Sequence, residues 1–235
     1  MTRSPTTTAM ILAAGRGSRL APLTDEIPKP LLEVHGQPLI SHQLHWLKRA
    51  GIEKVIINLF HLGHDIRRAL GDGSRFGLQI EYSNETELLE TGGGIAHARS
   101  LLGEDPFILL NGDIWTDFDF TSLPQHLPAN IDAHLVATPT PASRDTGDFE
   151  LQHQRLWRPA NVKRRNYVHC CISLMRARFL DKHRASDAEA AFSIRDLLFS
   201  AAQRGELGGQ HFKGIWRDIG TLDQLASVRE GDPIF

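Results

Sequence analysis

Lys29 lies between two prolines, Pro28 and Pro30, a short way after a glycine loop that carries two arginines, Gly15-Arg16-Gly17-Ser18-Arg19. Proline fixes its own φ and restricts the residue before it, so this lysine is presented on a stiff, extended segment. Glycines let a backbone approach a ligand and turn its N–H groups inward. Arginines offer paired donors that match phosphate oxygens. Together these residues read as a phosphate site, with Leu12, Ala13 and Ala14 leading into it; the glycine loop by itself reads as readily as a turn between a strand and a helix with solvated arginines. A Walker loop is excluded because G-x-x-x-x-G-K-[ST] does not occur, and a dinucleotide fingerprint fails because Leu20 stands where its last glycine belongs.

Three further segments carry groups of the right chemistry. Asn111-Gly112-Asp113 follows an apolar run, at the strand end that faces the ligand crevice in open α/β sheets. Taken alone it reads more readily as a plain turn. Asp218 stands in Trp216-Arg217-Asp218-Ile219-Gly220-Thr221, which also reads as a turn leading into a helix. Glu90-Thr91-Gly92-Gly93-Gly94 permits close approach to a flat base, or is a mobile turn before a helix.

These groups must be held by a framework, and the hydropathy pattern predicts one. Strands are expected at Ala9–Leu12, Lys54–Leu59, Leu78–Tyr82 and Phe107–Leu110. Helices are expected from Pro38 to Ala50, closed by Gly51, from His61 to Leu70, and through Ile95, Ala96 and Leu101. Alternating strand and helix argue for an α/β fold, a mainly parallel sheet with helices on both faces. The rhythm changes after residue 130. A strand at Ala133–Thr138, a hairpin at Phe149–Trp157, a strand at Val168–Met175, a helix at Ser193–Arg204, a strand at Gly214–Asp218 and a helix from Thr221 complete the pattern. The expected organisation is one domain over 1–235, with a nucleotide-binding half (about 1–130) and a substrate half (about 131–235).

The chain has 235 residues and a net charge of −2, from 26 basic and 28 acidic residues. Such a balance offers no basic face for nucleic acid, and no apolar run approaches the length that spans a bilayer. The N-terminus reads as no secretory signal. Cys170 and Cys171 are adjacent and read as reduced thiols of a cytoplasmic protein.

Leu12-Ala-Ala-Gly-Arg-Gly-Ser-Arg-Leu-Ala-Pro-Leu-Thr24, followed by Pro28-Lys29-Pro30, resembles the opening motif of the sugar-1-phosphate nucleotidyltransferases. That resemblance implies a Rossmann-like three-layer α/β/α fold with a mixed, mainly parallel sheet. It implies transfer of a nucleotidyl group from a nucleoside triphosphate to a sugar 1-phosphate, with release of pyrophosphate and dependence on Mg²⁺. By the same resemblance Asp113 and Asp218 hold the metal, Lys29 binds the sugar phosphate and Arg19 the triphosphate. Leu12 to Arg19, Glu90, Thr91, Gly92, Gly93 and Asn111 surround the nucleotide, with Arg16 at the mouth. Asp148, Cys171 and Thr221 face the sugar. Leu88-Leu89-Glu90-Thr91-Gly-Gly-Gly94, Gly71-Asp-Gly-Ser-Arg-Phe-Gly77 and Asn111-Gly-Asp-Ile-Trp-Thr-Asp117 resemble the uridylyltransferase form, in particular the short enzymes acting on N-acetylmuramate 1-phosphate in cell-wall recycling. UTP is therefore the expected nucleotide. Mannose-1-phosphate guanylyltransferase shares the opening motif and is the nearest alternative; a non-catalytic nucleotide-sugar-binding protein is a rival of another class.

One segment departs from the family pattern. Relatives carry a glycine in a small strand near the sugar, where this chain has Val168-His-Cys-Cys171-Ile172. A side chain at 171 reshapes the pocket. The preceding loop, Trp157 to Asn166, holds Arg158, Lys163, Arg164 and Arg165. It reads either as a solvated loop or as a neutraliser of an acidic sugar such as muramate. Trp46, Trp115, Trp157 and Trp216 default to packing roles. The pairs His42/His45 and His61/His64 lack a third ligand and are not expected to bind metal.

Overall fold

The computed structural model describes residues 6–104, 106–183 and 191–231, with only the backbone of 182 and 183. Its elements in chain order are β1 (Thr8–Leu12), α1 (Leu23–Glu26), β2 (Glu33–Val34), β3 (Gln37–Pro38), α2 (Leu39–Arg49), β4 (Lys54–Leu59), α3 (Gly63–Leu70) and β5 (Gln79–Asn84). Then follow α4 (Glu90–His97), α5 (Arg99–Leu102), β6 (Phe107–Asn111), β7 (Ile114–Thr116), β8 (Ala133–Pro139), β9 (Glu150–Gln152), β10 (Arg155–Trp157) and β11 (Tyr167–Met175). The chain continues with α6 (Arg178–His183), α7 (Ile194–Gln203), β12 (Leu207–His211), β13 (Trp216–Asp218) and α8 (Leu222–Glu230).

Nine strands form one sheet in the order β5-β4-β1-β6-β11-β8-β12-β10-β9. The first four are mutually parallel; β11 and β10 run against the other seven. Successive residues of the central strands face opposite sides of the sheet, and both sides are covered. Ala9, Ile11, Val55, Ile57, Ile108 and Leu110 join one apolar cluster with α2, α3 and α8, while Met10, Ile56, Phe107 and Leu109 join another with α4, α5, α6 and α7. Continuous apolar runs in β1, β4 and β6 reflect this double burial. The result is a mixed, mainly parallel three-layer α/β/α fold.

Local chemistry explains the helix limits. Gly51 takes φ 84° after α2 and donates to the Lys48 carbonyl, while Ile52 N–H reaches back to Leu47, closing the helix in a Schellman pattern. Ser193 Oγ accepts from Arg195 N–H at 3.2 Å at the start of α7, as its position in the sequence suggests.

Several expectations need correction. The glycine run 92–94 lies inside α4, which begins at Glu90 rather than after the glycines. The helical run through Leu101 divides into α4 and α5, and the helix expected from His61 starts at Gly63. The strand β12 had no expected counterpart: Leu207-Gly-Gly-Gln-His211 carries little strand propensity, and its pairing beside β8 and β10 supplies the order. The described residues contain no helix long and apolar enough to cross a membrane.

Candidate active site

The C-terminal ends of β1, β4 and β6 open onto a cavity of about 360 Å³. Leu12, Ala13, Ala14, Gly15 and Gly17 line one side, Lys29, Asn111 and Asp113 another, and Glu90 and Thr91 a third. Gly17 has φ 65°, and a Cβ there would meet Lys29 Cβ at 3.3 Å, so the glycine lets the loop rest on the lysine stem. Gly112 donates to the Leu12 carbonyl at 2.8 Å, and a Cβ there would stand 2.8 Å from that same oxygen. The loops after β1 and β6 thereby meet, and Asp113 is turned toward Lys29.

Lys29 Nζ lies 2.5 Å from Asp113 Oδ2. Asp218 is brought alongside by the short β7–β13 ladder, in which it pairs with Ile114, and by Ile219 N–H donating to Asp113 O at 3.0 Å. Burial, followed by the repulsion of Asp113, raises the pKa of Asp218 above the usual carboxylate range; Lys29 and Arg19 oppose that rise. Oδ1 of Asp113 and Oδ1 of Asp218 are both buried and find no hydrogen-bond partner among the described residues. Two adjacent carboxylates with vacant acceptor lone pairs suit a hard cation. Among the described residues no cluster of three or more metal-binding side chains exists, so further ligands would come from substrate and water.

Arg19 reaches over from the phosphate loop to Gly220, where a Cβ would lie 2.7 Å from its guanidinium. Arg16 stacks over Phe60 at 5.6 Å. Arg16, Ser18 and Arg19 are exposed and lie outside the cavity lining.

The glycines at 92 and 94 have a packing explanation rather than the close approach to a base expected of them. A Cβ on Gly92 would meet the Phe192 ring at 2.2 Å, and one on Gly94 would meet Asn58 Nδ2 at 2.7 Å and Glu85 Oε1 at 2.8 Å. Gly92 and Gly93 instead donate backbone N–H groups to Phe192 O, at 2.9 and 3.2 Å. Thr91 Oγ1 accepts from Ile194 N–H at 3.0 Å, so the first half of the chain is strapped to α7 here.

Sequence reasoning missed Asn58 and Glu85. Asn58 Oδ1 accepts from Ala13 N–H at 2.8 Å, its Nδ2 donates to Glu85 Oε1 at 2.7 Å, and Glu85 Oε2 accepts from Leu89 N–H at 3.2 Å. This buried relay fixes the glycine loop against the segment that carries Glu90 and Thr91. The available signal was one polar residue in the otherwise apolar run Val55-Ile-Ile-Asn-Leu59.

A second cavity, also about 360 Å³, shares Leu12, Thr91, Asn111 and Ser193 with the first. Cys171, Asp148, Trp216 and Asp218 line it. Cys171 takes φ 56° where the register of β11 against β8 shifts between His169 and Ser173. That left-handed conformation is natural for glycine, the residue the family resemblance leads one to expect here, and strained for cysteine. Burial, then Asp113 and Asp218, pushes the Cys171 thiol well above its ordinary range, so it is a neutral, apolar wall. Cys170 is buried and unpaired, its pKa pushed up to about 12 by burial. Trp216 Nε1 donates to Cys170 O at 2.8 Å and fixes the indole at the cavity edge. Thr221 lies outside the lining; its hydroxyl caps α8 by accepting from Gln224 N–H at 3.3 Å.

The basic loop is mostly turned away. Arg164 pairs with Glu150 at 2.8 Å, and Arg165 donates to the Pro159 carbonyl at 2.8 Å. Arg158 alone among its arginines touches cavity residues, donating to Asp148 O at 2.8 Å and stacking 3.5 Å over Phe199.

A family model described as nucleotidyl transferase matches residues 8–233. The chain belongs to the nucleotidyl transferase family. An N-acetylmuramate alpha-1-phosphate uridylyltransferase from Neisseria meningitidis serogroup B is 42% identical over 94% of this chain and 96% of its own. The catalytic subunit beta of a mannose-1-phosphate guanylyltransferase from Xenopus tropicalis is 32% identical over 96% of this chain, which spans 66% of that longer protein. The inositol-1-phosphate CTP transferase from T. maritima superposes with a TM-score of 0.78 at 15% identity, covering 98% of this chain and 99% of that one, a likeness of fold. This family member is an enzyme, a sugar-1-phosphate nucleotidyltransferase.

Proposed function

We propose that the enzyme transfers a uridylyl group from UTP to N-acetylmuramate α-1-phosphate with the help of Mg²⁺. The observation that carries the reaction is the meeting of Lys29, Asp113 and Asp218 between two connected cavities, one floored by the glycine loop. The choice of substrates rests on the 42% identical uridylyltransferase and its near-complete mutual coverage. In this reading a phosphate oxygen of the sugar attacks the α-phosphorus, and the bond to pyrophosphate breaks. Two anions must be brought together, which calls for fixed cations and donors more than for a strong base.

Lys29 neutralises the incoming sugar phosphate, held in place by its flanking prolines and its ion pair with Asp113. The N–H groups of the glycine loop and Arg19 receive the triphosphate. Asp113 and Asp218 would hold Mg²⁺ through their vacant carboxylate oxygens. When bound, the cation offsets the charge of the departing pyrophosphate. Glu90 and Thr91 border the base, and Asp148 and Cys171 the sugar. Intact Lys29, Asp113 and Asp218 argue against a binding protein without turnover, which has no need of all three.

Pyrophosphate release tests the reading, measured with Mg²⁺ across four nucleoside triphosphates and the 1-phosphates of N-acetylmuramate, N-acetylglucosamine, glucose and mannose. Turnover confined to UTP and the muramate compound is expected. Turnover confined to GTP and mannose 1-phosphate would overturn the substrates and keep the chemistry.

A further inference from the structure

Three guanidinium groups surround one carboxylate in the wall of the second cavity, which Lys29 does not line. Arg144 Nη1 donates to Asp148 Oδ2 at 3.3 Å, while Arg195 Nη2 and Arg158 Nη1 stand 3.8 and 3.9 Å from Asp148 Oδ1. Arg158 is committed elsewhere, to a backbone carbonyl and to the Phe199 ring, and only 17% of its side chain is exposed. Arg195 also lies over the Phe199 ring, at 4.8 Å, but Arg144 and Arg195 are far more open. Their side chains are 44% and 64% exposed, both line the cavity, and each carries five N–H donors of which Asp148 uses few. His169, in the same wall, contributes no positive charge near neutral pH, because burial lowers its pKa to about 4. Among these groups the cluster is left with a surplus of two positive charges.

The placement of Arg195 sharpens the point. It is the second residue of α7, the positive end of a ten-residue helix, where a cation is disfavoured by the helix dipole. A position that costs stability locally, in a cavity wall, calls for an anion to face it. The phosphates of both substrates are provided for elsewhere, by the glycine loop, Lys29 and Arg19. A second anion on the sugar itself is what this wall would meet.

We infer that Arg144 and Arg195 form a subsite for a carboxylate carried by the sugar, separate from its anomeric phosphate. The inference rests on the functional reading above, in which this cavity receives the sugar 1-phosphate. A planar carboxylate matches the guanidinium fork, and its single charge is better tolerated beside Asp148 than a dianionic phosphate. N-acetylmuramate carries such a group on its lactyl ether; N-acetylglucosamine is the same sugar without it. The cations come from the β8–β9 connection and from α7, not from the basic loop 157–166. Asp148 offsets the repulsion between the two arginines and keeps the subsite from attracting anions indiscriminately.

The test separates charge from shape. Equilibrium binding by calorimetry compares N-acetylmuramate α-1-phosphate with its lactyl amide, equal in size and uncharged at that position, and pyrophosphate release is followed in parallel. The native enzyme should bind the acid about tenfold to a hundredfold more tightly, the range of one charge-assisted contact. Arg195→Gln and Arg144→Gln should each bring that ratio toward one, and Arg195→Lys should keep part of it. A native ratio near one, or a ratio unchanged in both glutamine variants, overturns the inference and leaves the reaction standing. Equal weakening of acid and amide in the variants would place the arginines on the anomeric phosphate and also overturn it. A preserved preference in binding without pyrophosphate release would instead overturn the functional reading alone.

Discussion

The two ends of the cleft are assembled differently. At the phosphate end, loops that follow the parallel strands β1 and β6 abut directly, with Gly112 against the Leu12 carbonyl and Lys29 against Asp113. Each loop continues a strand already fixed by its neighbours, so the site inherits the rigidity of the sheet. At the sugar end the wall comes from the antiparallel β11, the β8–β9 connection, α7 and β13, gathered from residues 144 to 218. In the proposed reading the first arrangement carries the transfer reaction. The second draws its side chains from several separate elements, so its shape depends on how those elements pack. In that reading, Lys29 and Asp113 come from loops beside the parallel half of the sheet, while Asp218 and the residues around the sugar come from elements later in the chain.

The most severe way to break the phosphate end is Lys29→Ala. Turnover should fall by about 10²–10³, the scale for removing one fixed transition-state donor, with nucleotide binding retained; single-turnover pyrophosphate release checks it. Asp218→Asn comes next. It should abolish most Mg²⁺-dependent turnover yet raise the melting temperature of the metal-free protein, because it removes a buried charge beside Asp113. A lowered melting temperature would contradict the repulsion between the two carboxylates.

Asn58→Ala tests whether the phosphate loop is held from below. It leaves the Ala13 N–H and Glu85 Oε1 without the partner Asn58 supplies and should cost about 2 kcal/mol in urea unfolding, with a raised KM for the nucleotide and little change in kcat.

The sugar end should be softer toward acid. The pKa of His169 is lowered to about 4 by burial, partly opposed by its hydrogen bond with the Ile172 carbonyl. The unfolded chain binds this proton near pH 6.5 and the folded one only near 4, so stability is intact above 6.5 and declines as pH falls between those values. His169→Gln should flatten that decline in urea midpoints measured from pH 7 to 4. The smallest effect is expected of Cys171→Gly, which relieves a left-handed cysteine worth about 1 kcal/mol, or about 2–4 °C in melting temperature. The same change should widen the cavity and relax sugar choice in a competition between muramate and glucosamine substrates.

These contrasts also mark what was legible in the chain. Lys29 between two prolines, the glycine loop, and the strand leading to Asp113 were visible because each depends on neighbours within a few residues. Asn58 and Glu85 escaped notice because their meaning lies in each other and in the Ala13 backbone. The glycines at 92 and 94 were visible, but their packing role was not: the ring of Phe192 and the side chain of Asn58, both distant in the chain, crowd them together with Glu85.

The sequence by itself determined the alternation of strands and helices, the helix ends at Gly51 and Ser193, and the candidate phosphate-binding residues, since periodicity, capping and turn chemistry are local. The tertiary structure alone decided the order of the nine strands, the ordering of β12 between β8 and β10, the left-handed turn at Cys171 and the convergence of Arg144, Arg158 and Arg195 on Asp148. Those features depend on which surfaces meet when two apolar layers close over one sheet, and no local pattern encodes that meeting.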